Sequence, residues 1–360
     1  MTRLRSAVLG CGPRANYHAR VYAEVKHGEL VACCDLNEER LATFGGRFGI
    51  SARYTDFRKM MRETKPDLLH IVTAPSVRWP VVEQALEYPP RAILIEKPLA
   101  CRPEEGQRIL DACRDAGVEL FVNHQLRHHR PHIELREAIQ AGELGEIEWV
   151  RASCRGNILE QGTHLFDLVS FVFGDPPVEW VLAQAAGAAG YDGGHSAPDF
   201  VAGTLMLAGG LRVSFECGPP APVWKGEREY WWNVGIEVAG SKGRAGASIN
   251  HGWWLRTGEA VREHPVPYGE EDDRAQGRLI DSILAAIQGG REEVATHPNN
   301  AARSAVSFHV AMAAQISALH RVPVRPAAGA ASDDAIERLR AELKAAEAAE
   351  IPGRVRLGGR

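Results

Sequence analysis

The chain has 360 residues and a mass of 39.3 kDa, which is enough for about two domains at roughly 150 residues per domain. Hydrophobic residues make up 45% and charged residues 24%, a balance that excludes a disordered or collagen-like chain. The 42 lysines and arginines face 46 aspartates and glutamates, for a formal charge of −4. No basic field therefore indicates nucleic acid as a partner.

Uncharged apolar runs such as residues 68–75 fall far short of the roughly 20 residues that cross a bilayer, so we expect no membrane span. The N-terminal residues contain no long apolar segment followed by a small-residue cleavage site, and we predict a cytoplasmic protein. The seven cysteines are odd in number and form no CxxC pair. This pattern favours reduced thiols over structural disulfides.

The first 120 residues alternate short β-rich apolar runs with amphipathic helical segments, the pattern of a parallel sheet wound with helices. Helices are predicted over residues 37–46 and 103–116, where apolar side chains recur at helical spacing. We assign residues 1–123 to this α/β domain. Its predicted strands are residues 5–9, 30–34, 68–73, 92–96 and 119–122.

The second half changes pattern after a predicted helix at residues 131–141. Successive strands joined by tight turns indicate a mainly antiparallel sheet, and residues 124–328 are assigned to this α+β domain. Its predicted strands are residues 147–154, 178–185, 200–207, 211–217, 230–239 and 244–249. Helices expected to cover one face of the sheet are residues 159–173, 274–288 and 300–319.

The last segment, residues 329–360, is assigned to a C-terminal helix and tail. Ser332 is a helix-capping residue, and Ile336, Leu339 and Leu343 fall on one face of the charged helix that follows. We predict a solvated appendage helix, with packing on another subunit as the alternative.

A glycine-rich turn follows the first predicted strand. Gly10, Gly12 and Ala15 form a GxGxxA pattern that also contains Pro13 and Arg14. Such glycines permit a tight turn and the close approach of a pyrophosphate, to which the N-terminus of the next helix donates hydrogen bonds. The turn therefore predicts a dinucleotide site near the start of the chain.

An acidic residue ends the second predicted strand. Asp35 stands about 20 residues after the turn, where a carboxylate accepts hydrogen bonds from ribose hydroxyls. It favours NAD over NADP because a 2′-phosphate would meet a like charge. Arg40 can offset that charge and Arg14 is expected near the phosphates, so NADP stays open. The structural alternative for Asp35 is a simple turn former.

Glu96, Lys97 and Pro98 follow the fourth predicted strand. Ligands of open α/β sheets bind beyond the carboxyl ends of the strands, so Lys97 is expected to point into the ligand crevice. There it would hold a substrate hydroxyl and ease alkoxide formation. The alternative is a solvated surface pair with Glu96.

These motifs, together with Gln125-Leu126-Arg127, Pro131 and the segment Glu160-Gln161-Gly162-Thr163-His164-Leu165-Phe166-Asp167, resemble the glucose-fructose oxidoreductase, inositol dehydrogenase and MocA family over about residues 1–325. The resemblance implies a Rossmann domain followed by a domain with a mainly antiparallel open-faced sheet. It also implies NAD(P)-dependent oxidation of a ring hydroxyl on a sugar or cyclitol. Members of the family often form dimers or tetramers, so a homodimer or homotetramer is expected.

The resemblance also assigns roles to residues. Lys97 and His164 are expected to surround the reacting carbon, with Arg127 near the substrate and Gln125 near the cofactor. We also expect cofactor contacts from Gly10, Gly12, Pro13, Arg14, Asp35, Arg40, Thr73, Pro75, Glu96 and Lys97, and substrate contacts from Asn157 and Glu160.

The chain departs from the family at Glu160, where many members have an aspartate. Residues four apart share one face of a helix, so Glu160 and His164 are predicted to converge on the substrate. A core histidine with a satisfied partner is the alternative. His128 and His132 are also four apart, but Pro131 interrupts the helix between them and no further ligand completes a set, so no metal site is predicted.

Three functional hypotheses result. The first is an NAD-dependent oxidoreductase of a sugar-like polyol, in which His164, aided by Glu160 and Lys97, takes the hydroxyl proton. The second is a redox glycosidase on the same scaffold, which uses tightly held NAD without net turnover. The third is a non-catalytic NAD-binding sensor, which the acidic C-terminal helix favours.

Overall fold

The computed structural model describes residues 2–222 and 233–348. Six parallel strands form the first sheet, in the order β3-β2-β1-β4-β5-β6. The strands are β1 (Leu4–Leu9), β2 (Gly28–Cys34), β3 (Ala52–Tyr54), β4 (Leu68–Ile71), β5 (Ala92–Ile95) and β6 (Glu119–Val122). The strand order reverses between β1 and β4, as in a Rossmann fold, and a ligand crevice is expected at that point. The predicted parallel sheet is confirmed, and β3 is an addition to it.

Five helices connect these strands. Helix α2 illustrates why they form: the Asn37 side chain caps it by accepting a hydrogen bond from the Arg40 N–H, and Leu41 and Phe44 bury its apolar face. Pro103 occupies the first turn of α5, where its missing N–H costs nothing. The helices are α1 (Pro13–Arg20), α2 (Glu38–Arg47), α3 (Phe57–Thr64), α4 (Arg78–Leu86) and α5 (Pro103–Asp115).

The second sheet has eight strands in the order β14-β13-β12-β11-β7-β10-β9-β8. All neighbouring strands are antiparallel except β7 and β10, which confirms the mainly antiparallel prediction. The strands are β7 (Ile147–Cys154), β8 (Val178–Ala186), β9 (Phe200–Leu207), β10 (Arg212–Cys217), β11 (Val234–Gly240), β12 (Gly243–Ser248), β13 (Gly252–Thr257) and β14 (Val261–His264). Residues 230–232 of the strand predicted at 230–239 lie outside the described residues.

Helices α6 (Arg130–Gln140), α7 (Gly162–Val172) and α11 (Val306–His320) pack on the second sheet. Every residue of α7 is buried. The helix begins at Gly162, later than the predicted start at residue 159, because residues 158–161 form a turn before it.

Helix α8 (Tyr268–Gly289) corrects one prediction, because it covers the first sheet and not the second. Its buried side chains Leu279, Ile283 and Leu284 join a hydrophobic cluster with Leu94 and Phe121 of the Rossmann sheet. Burial of each large apolar side chain contributes roughly 1.5–3 kcal/mol. The helical spacing shows an amphipathic helix but does not show which sheet it covers. The short helices α9 (Arg291–Thr296) and α10 (Ala301–Ser304) follow it.

Helix α12 (Asp333–Ala348) corrects a second prediction, because it packs on its own chain. Ile336 and Leu339 are buried in the main hydrophobic core. Arg340 pairs with Asp192 at 2.5 Å, and Ser332 accepts a hydrogen bond from the Ala335 N–H, as its capping role predicts. The helix is therefore an integrated part of the fold, and residues 349–360 lie outside the described residues. Across the two described ranges, the structure contains no helix that is both long and apolar enough to cross a membrane.

Candidate active site

The glycine turn after β1 leaves space at the start of α1. Gly10 adopts φ +90°, and a Cβ there would lie 2.7 Å from the Val72 carbonyl oxygen. A Cβ on Gly12, by contrast, would meet nothing within 4 Å. The first glycine thus lets the turn pass close to the end of β4, and the second keeps the surface above the N-terminus of α1 open.

A groove of about 510 Å³ runs from this turn along α2. Asp35 lies beside this groove: its carboxylate accepts hydrogen bonds at 2.8 Å from the N–H groups of Cys11 and Asn37, which line it. The Arg40 guanidinium also donates to Asp35, at 3.1 Å. Arg40 and Arg47 line the groove, so the buried Asp35 carboxylate lies beside a surface that carries two guanidinium groups.

Glu96 holds a buried polar network at the end of β5. Its Oε1 accepts hydrogen bonds from Arg14 Nε at 2.7 Å, His18 Nε2 at 2.9 Å and Asn123 Nδ2 at 2.8 Å. Burial would raise the pKa of Glu96, but Arg14 and His18 outweigh it and keep the pKa well below its ordinary value. The Glu96 carboxylate therefore fixes Arg14 at the mouth of the crevice.

Lys97 follows Glu96 and is joined to Pro98 by a cis peptide bond. Its Nζ donates a hydrogen bond to the backbone carbonyl of Glu160 at 2.5 Å. Burial lowers the pKa of Lys97, and the like charge of Arg14 adds to this effect, while Glu96 opposes it. The ammonium group is thus a hydrogen-bond donor held at a set position.

His164 lies in the first turn of α7 and is 7% exposed. Burial holds its pKa well below the ordinary value, and the neighbouring Lys97 and His124 add to the shift. Its Nδ1 lies 3.4 Å from Nδ1 of His124. His164 is therefore neutral at neutral pH and can accept a proton.

Both domains contribute to a cavity of about 350 Å³ at the carboxyl ends of β4 and β5. Seven of the predicted site residues line it: Arg14, Thr73, Pro75, Glu96, Lys97, Gln125 and His164. The cavity is also lined by residues that the sequence did not indicate, among them Arg78, His195 and Tyr268. An ammonium donor and a neutral imidazole thus face one space, which is the pair of groups that proton transfer to and from a hydroxyl requires.

Two family models match the chain. One, described as an oxidoreductase family with an NAD-binding Rossmann fold, matches residues 4–124, and the other, the GFO/IDH/MocA C-terminal domain, matches residues 155–246. The chain belongs to the GFO/IDH/MocA family of oxidoreductases. The sequence resemblance is thereby confirmed, and the first domain of this family member is an NAD-binding Rossmann domain.

Individual relatives agree with this assignment. The chain is 27% identical to a D-apiose dehydrogenase of Paraburkholderia graminis over 69% of this chain and 68% of the relative. It is 26% identical to an inositol 2-dehydrogenase of Rhizobium meliloti over 80% of this chain and 90% of the relative. An oxidoreductase from Agrobacterium radiobacter, crystallised with NAD+, L-tartaric acid and magnesium, superposes with a TM-score of 0.77 at 20% identity, covering 90% of this chain and 98% of that one. That likeness shows a shared fold.

The GFO/IDH/MocA chain fits an NAD molecule on its own geometry. The open surface at Gly12 and the N-terminus of α1 line the groove, and the Asp35 carboxylate lies beside it, bonded to the Cys11 N–H. They supply the space, the amide donors and the ribose acceptor that a dinucleotide requires.

Three predicted site residues have contacts within the protein that the sequence did not indicate, and their substrate contacts stay predictions. Arg127 does not line the cavity: its Nε binds Asp167 at 2.7 Å and its Nη2 binds Asp175 at 2.8 Å. Asn157 also lies outside the lining, because its side chain accepts from the Leu159 and Glu160 N–H groups and donates to the His195 carbonyl. The side chains of Arg127 and Asn157 thus form ion pairs and hydrogen bonds within the protein.

Glu160 is the third of these residues. It lies in the turn before α7, so the predicted helical spacing to His164 is wrong. Its backbone carbonyl holds Lys97, while its carboxylate adds a favourable charge that raises the pKa of Lys97. A catalytic role for the Glu160 side chain stays a prediction.

Arg78 is the most informative residue that the sequence reasoning missed. It is 1% exposed and donates to the backbone carbonyls of Glu96 and Pro98, so it braces the turn that carries Lys97. Burial lowers the pKa of Arg78 to about 10. Its only sequence signal is its place shortly after β4, at the same sheet edge as Lys97.

The histidines of residues 124–132 have separate partners. His128 contacts Asn299 Oδ1 at 3.1 Å, and His132 donates from Nδ1 to the Leu126 carbonyl at 3.1 Å. The described part of the chain contains no cluster of three or more histidine, cysteine, aspartate or glutamate side chains suited to a metal ion. The seven cysteines are free thiols.

Proposed function

We propose that the protein oxidises a secondary hydroxyl on a sugar or cyclitol, with NAD as the hydride acceptor. The observation that carries the proposal is the convergence of Lys97 and His164 in one cavity beside the glycine turn. The D-apiose and inositol dehydrogenase relatives support a polyol substrate. The cavity of about 350 Å³ is of the size that holds a small ligand.

Lys97 and His164 divide the proton chemistry. Lys97 donates a hydrogen bond to the substrate hydroxyl oxygen and stabilises the negative charge that develops there. His164 takes the hydroxyl proton. When bound, the nicotinamide supplies the acceptor for the hydride, so the C–H bond breaks, a C=O bond forms and one proton is left on the histidine. Arg78 and the Glu160 carbonyl keep Lys97 in place during this step.

NAD, and not NADP, is the proposed cofactor. The Asp35 carboxylate is 7% exposed and stands where a 2′-phosphate would lie. The guanidinium of Arg40 is paired with that carboxylate, so the positive charge of Arg40 is already partly neutralised and attracts a 2′-phosphate less. The like charge of Asp35 therefore opposes NADP.

The test is the absorbance of reduced nicotinamide, followed with NAD and with NADP across monosaccharides, anhydrosugars, inositols and glycosides. We expect a rise with NAD that falls by about 10²-fold or more in Lys97→Met and His164→Ala. Lys26→Met, which removes an exposed lysine that lines neither the cavity nor the groove, is the matched control and keeps full activity.

Other outcomes would replace the proposal. Full activity in either active-site variant would show that these residues do not carry the chemistry. Release of reducing sugar from glycosides without accumulation of reduced nicotinamide would favour the redox glycosidase. The sensor hypothesis has lost its supporting observation, because α12 packs on its own chain.

A further inference from the structure

Behind His164, two further side chains form a hydrogen-bonded chain that leads away from the cavity. His124 Nδ1 lies 3.4 Å from His164 Nδ1, and His124 Nε2 lies 3.1 Å from the Ser307 hydroxyl oxygen. The Ser307 hydroxyl in turn donates to the Ser304 carbonyl at 2.8 Å. His124 and Ser307 are 1% and 2% exposed, and neither lines the cavity.

The fixed end of this chain decides where each proton lies. A carbonyl oxygen only accepts, so the single hydroxyl proton of Ser307 is directed to Ser304. The Ser307 oxygen is then an acceptor, and Nε2 of His124 must carry the proton of that contact. Burial lowers the pKa of His124, so its ring is neutral and carries one proton only. Its Nδ1 is therefore an acceptor.

The position of the proton on His124 also determines the position of the proton on His164. Because Nδ1 of His124 accepts, Nδ1 of His164 must donate. A neutral imidazole with its proton on Nδ1 has a free lone pair on Nε2. The Nδ1 edge of His164 faces His124, which lies outside the cavity lining, so the Nε2 edge remains for the cavity.

We propose that His124 and Ser307 are positioning residues that fix the tautomer of His164, with the proton on Nδ1 and Nε2 free to accept a proton in the cavity. The catalytic consequence of this tautomer rests on the proposed function, in which His164 takes the substrate proton. The tautomer itself does not depend on that function and is measurable in the resting protein.

The experiment compares His124→Asn with His124→Leu, two side chains of nearly equal size. The Asn oxygen stands near the former Nδ1 and can still accept from His164, whereas Leu cannot. Two-bond ¹H–¹⁵N spectra of the ¹⁵N-histidine-labelled full chain report which ring nitrogen carries the proton, and His164→Gln assigns the signals. We expect Nδ1–H at His164 in the wild type and in His124→Asn, and a mixture of tautomers in His124→Leu.

Kinetics provides the second readout. We expect kcat to fall about tenfold or more in His124→Leu, with little change in KM, and to stay near wild type in His124→Asn, because an incorrect tautomer removes the base without removing binding contacts. Ser307→Ala releases the fixed end of the chain and should move the His164 signals in the same direction. It tests the proposal even when His124→Leu does not fold.

Three results overturn the proposal: an Nε2–H tautomer of His164 in the wild type, an unchanged tautomer in both His124→Leu and Ser307→Ala, or equal losses in Asn and Leu. The proposed function fails differently. In that case the spectra follow the expectation, while His164→Ala keeps full activity.

Discussion

The two glycines of the turn after β1 should fail in different ways when each is replaced by alanine. Gly10 adopts φ +90°, and a Cβ there would lie 2.7 Å from the Val72 carbonyl oxygen. A positive φ costs a non-glycine residue roughly 1–3 kcal/mol, and overpacking adds about 1–3 kcal/mol. We therefore expect Gly10→Ala to lower the free energy of unfolding by about 2–6 kcal/mol.

Gly12 has φ −71°, which alanine adopts without strain, and a Cβ there meets no atom within 4 Å. Gly12→Ala should therefore keep the stability of the wild type, or gain up to about 1 kcal/mol from the stiffer unfolded chain. The added methyl group occupies the surface assigned to the pyrophosphate. We expect the Kd for NAD to rise at least tenfold, a loss of about 1.4 kcal/mol.

The assay is urea unfolding followed by circular dichroism, together with calorimetric titration of NAD into each variant. The two variants control for each other, because they make the same chemical change two residues apart. Equal destabilisation of both variants would contradict the assignment of separate roles. Wild-type NAD affinity in Gly12→Ala would show that the cofactor does not pass over this glycine.

Two further predictions concern buried charge. Asp167→Asn removes one of the two carboxylates that pair with the buried Arg127, so we expect the free energy of unfolding in urea to fall by about 3–5 kcal/mol. Glu216→Gln, in the partly exposed pair with Arg151, should cost below about 1 kcal/mol. Similar costs for the two variants would refute a structural role for Arg127. Burial lowers the pKa of His132 from 6.5 to about 3, so between these pH values the His132 ring binds a proton in the unfolded chain but not in the folded one. The free energy of unfolding therefore decreases by about 1.4 kcal/mol for each pH unit by which the pH is lowered through this range. His132→Gln should reduce the slope of the free energy of unfolding against pH by about 1.4 kcal/mol per pH unit, the contribution of one proton. An unchanged slope would contradict the lowered pKa of His132.

The elements predicted from the sequence are those whose burial follows a clear period. Strands β1, β4, β5 and β6 are short apolar runs between helical patterns, and β7 and β9 have the predicted bounds. Strands β3 and β14 were missed because they lack that signal, whereas β13 was missed although Trp253 and Leu255 in it are buried. β3 has three residues and none is buried, and every residue of the edge strand β14 is exposed. Helix α8 was recognised, but which sheet it covers depends on contacts between segments distant in sequence.

The site divides in the same way. Lys97 and His164 belong to local motifs, so the sequence indicated them, and both line the cavity. His195 and Tyr268 come from segments that no motif connects to the crevice, and only the folded chain brings them there. Arg127 shows the opposite failure. The family resemblance implied a substrate contact for Arg127, but its carboxylate partners Asp167 and Asp175 follow about 40 residues or more later in the chain. The homo-oligomer and the cytoplasmic location stay predictions.

The division of labour between Lys97 and His164 follows from their different ordinary pKa values. Burial lowers the pKa of both groups, so burial alone does not separate them. Lys97 begins at 10.5 and is supported by the charges of Glu96 and Glu160, whereas His164 begins at 6.5 and faces the positive charge of Lys97. The positive charge of Lys97 lowers the pKa of His164 further and so widens the gap between the two groups, and the neutral imidazole places no second positive charge beside Lys97. Two neighbouring bases become one donor and one acceptor, which is the arrangement that removal of a proton from a hydroxyl requires.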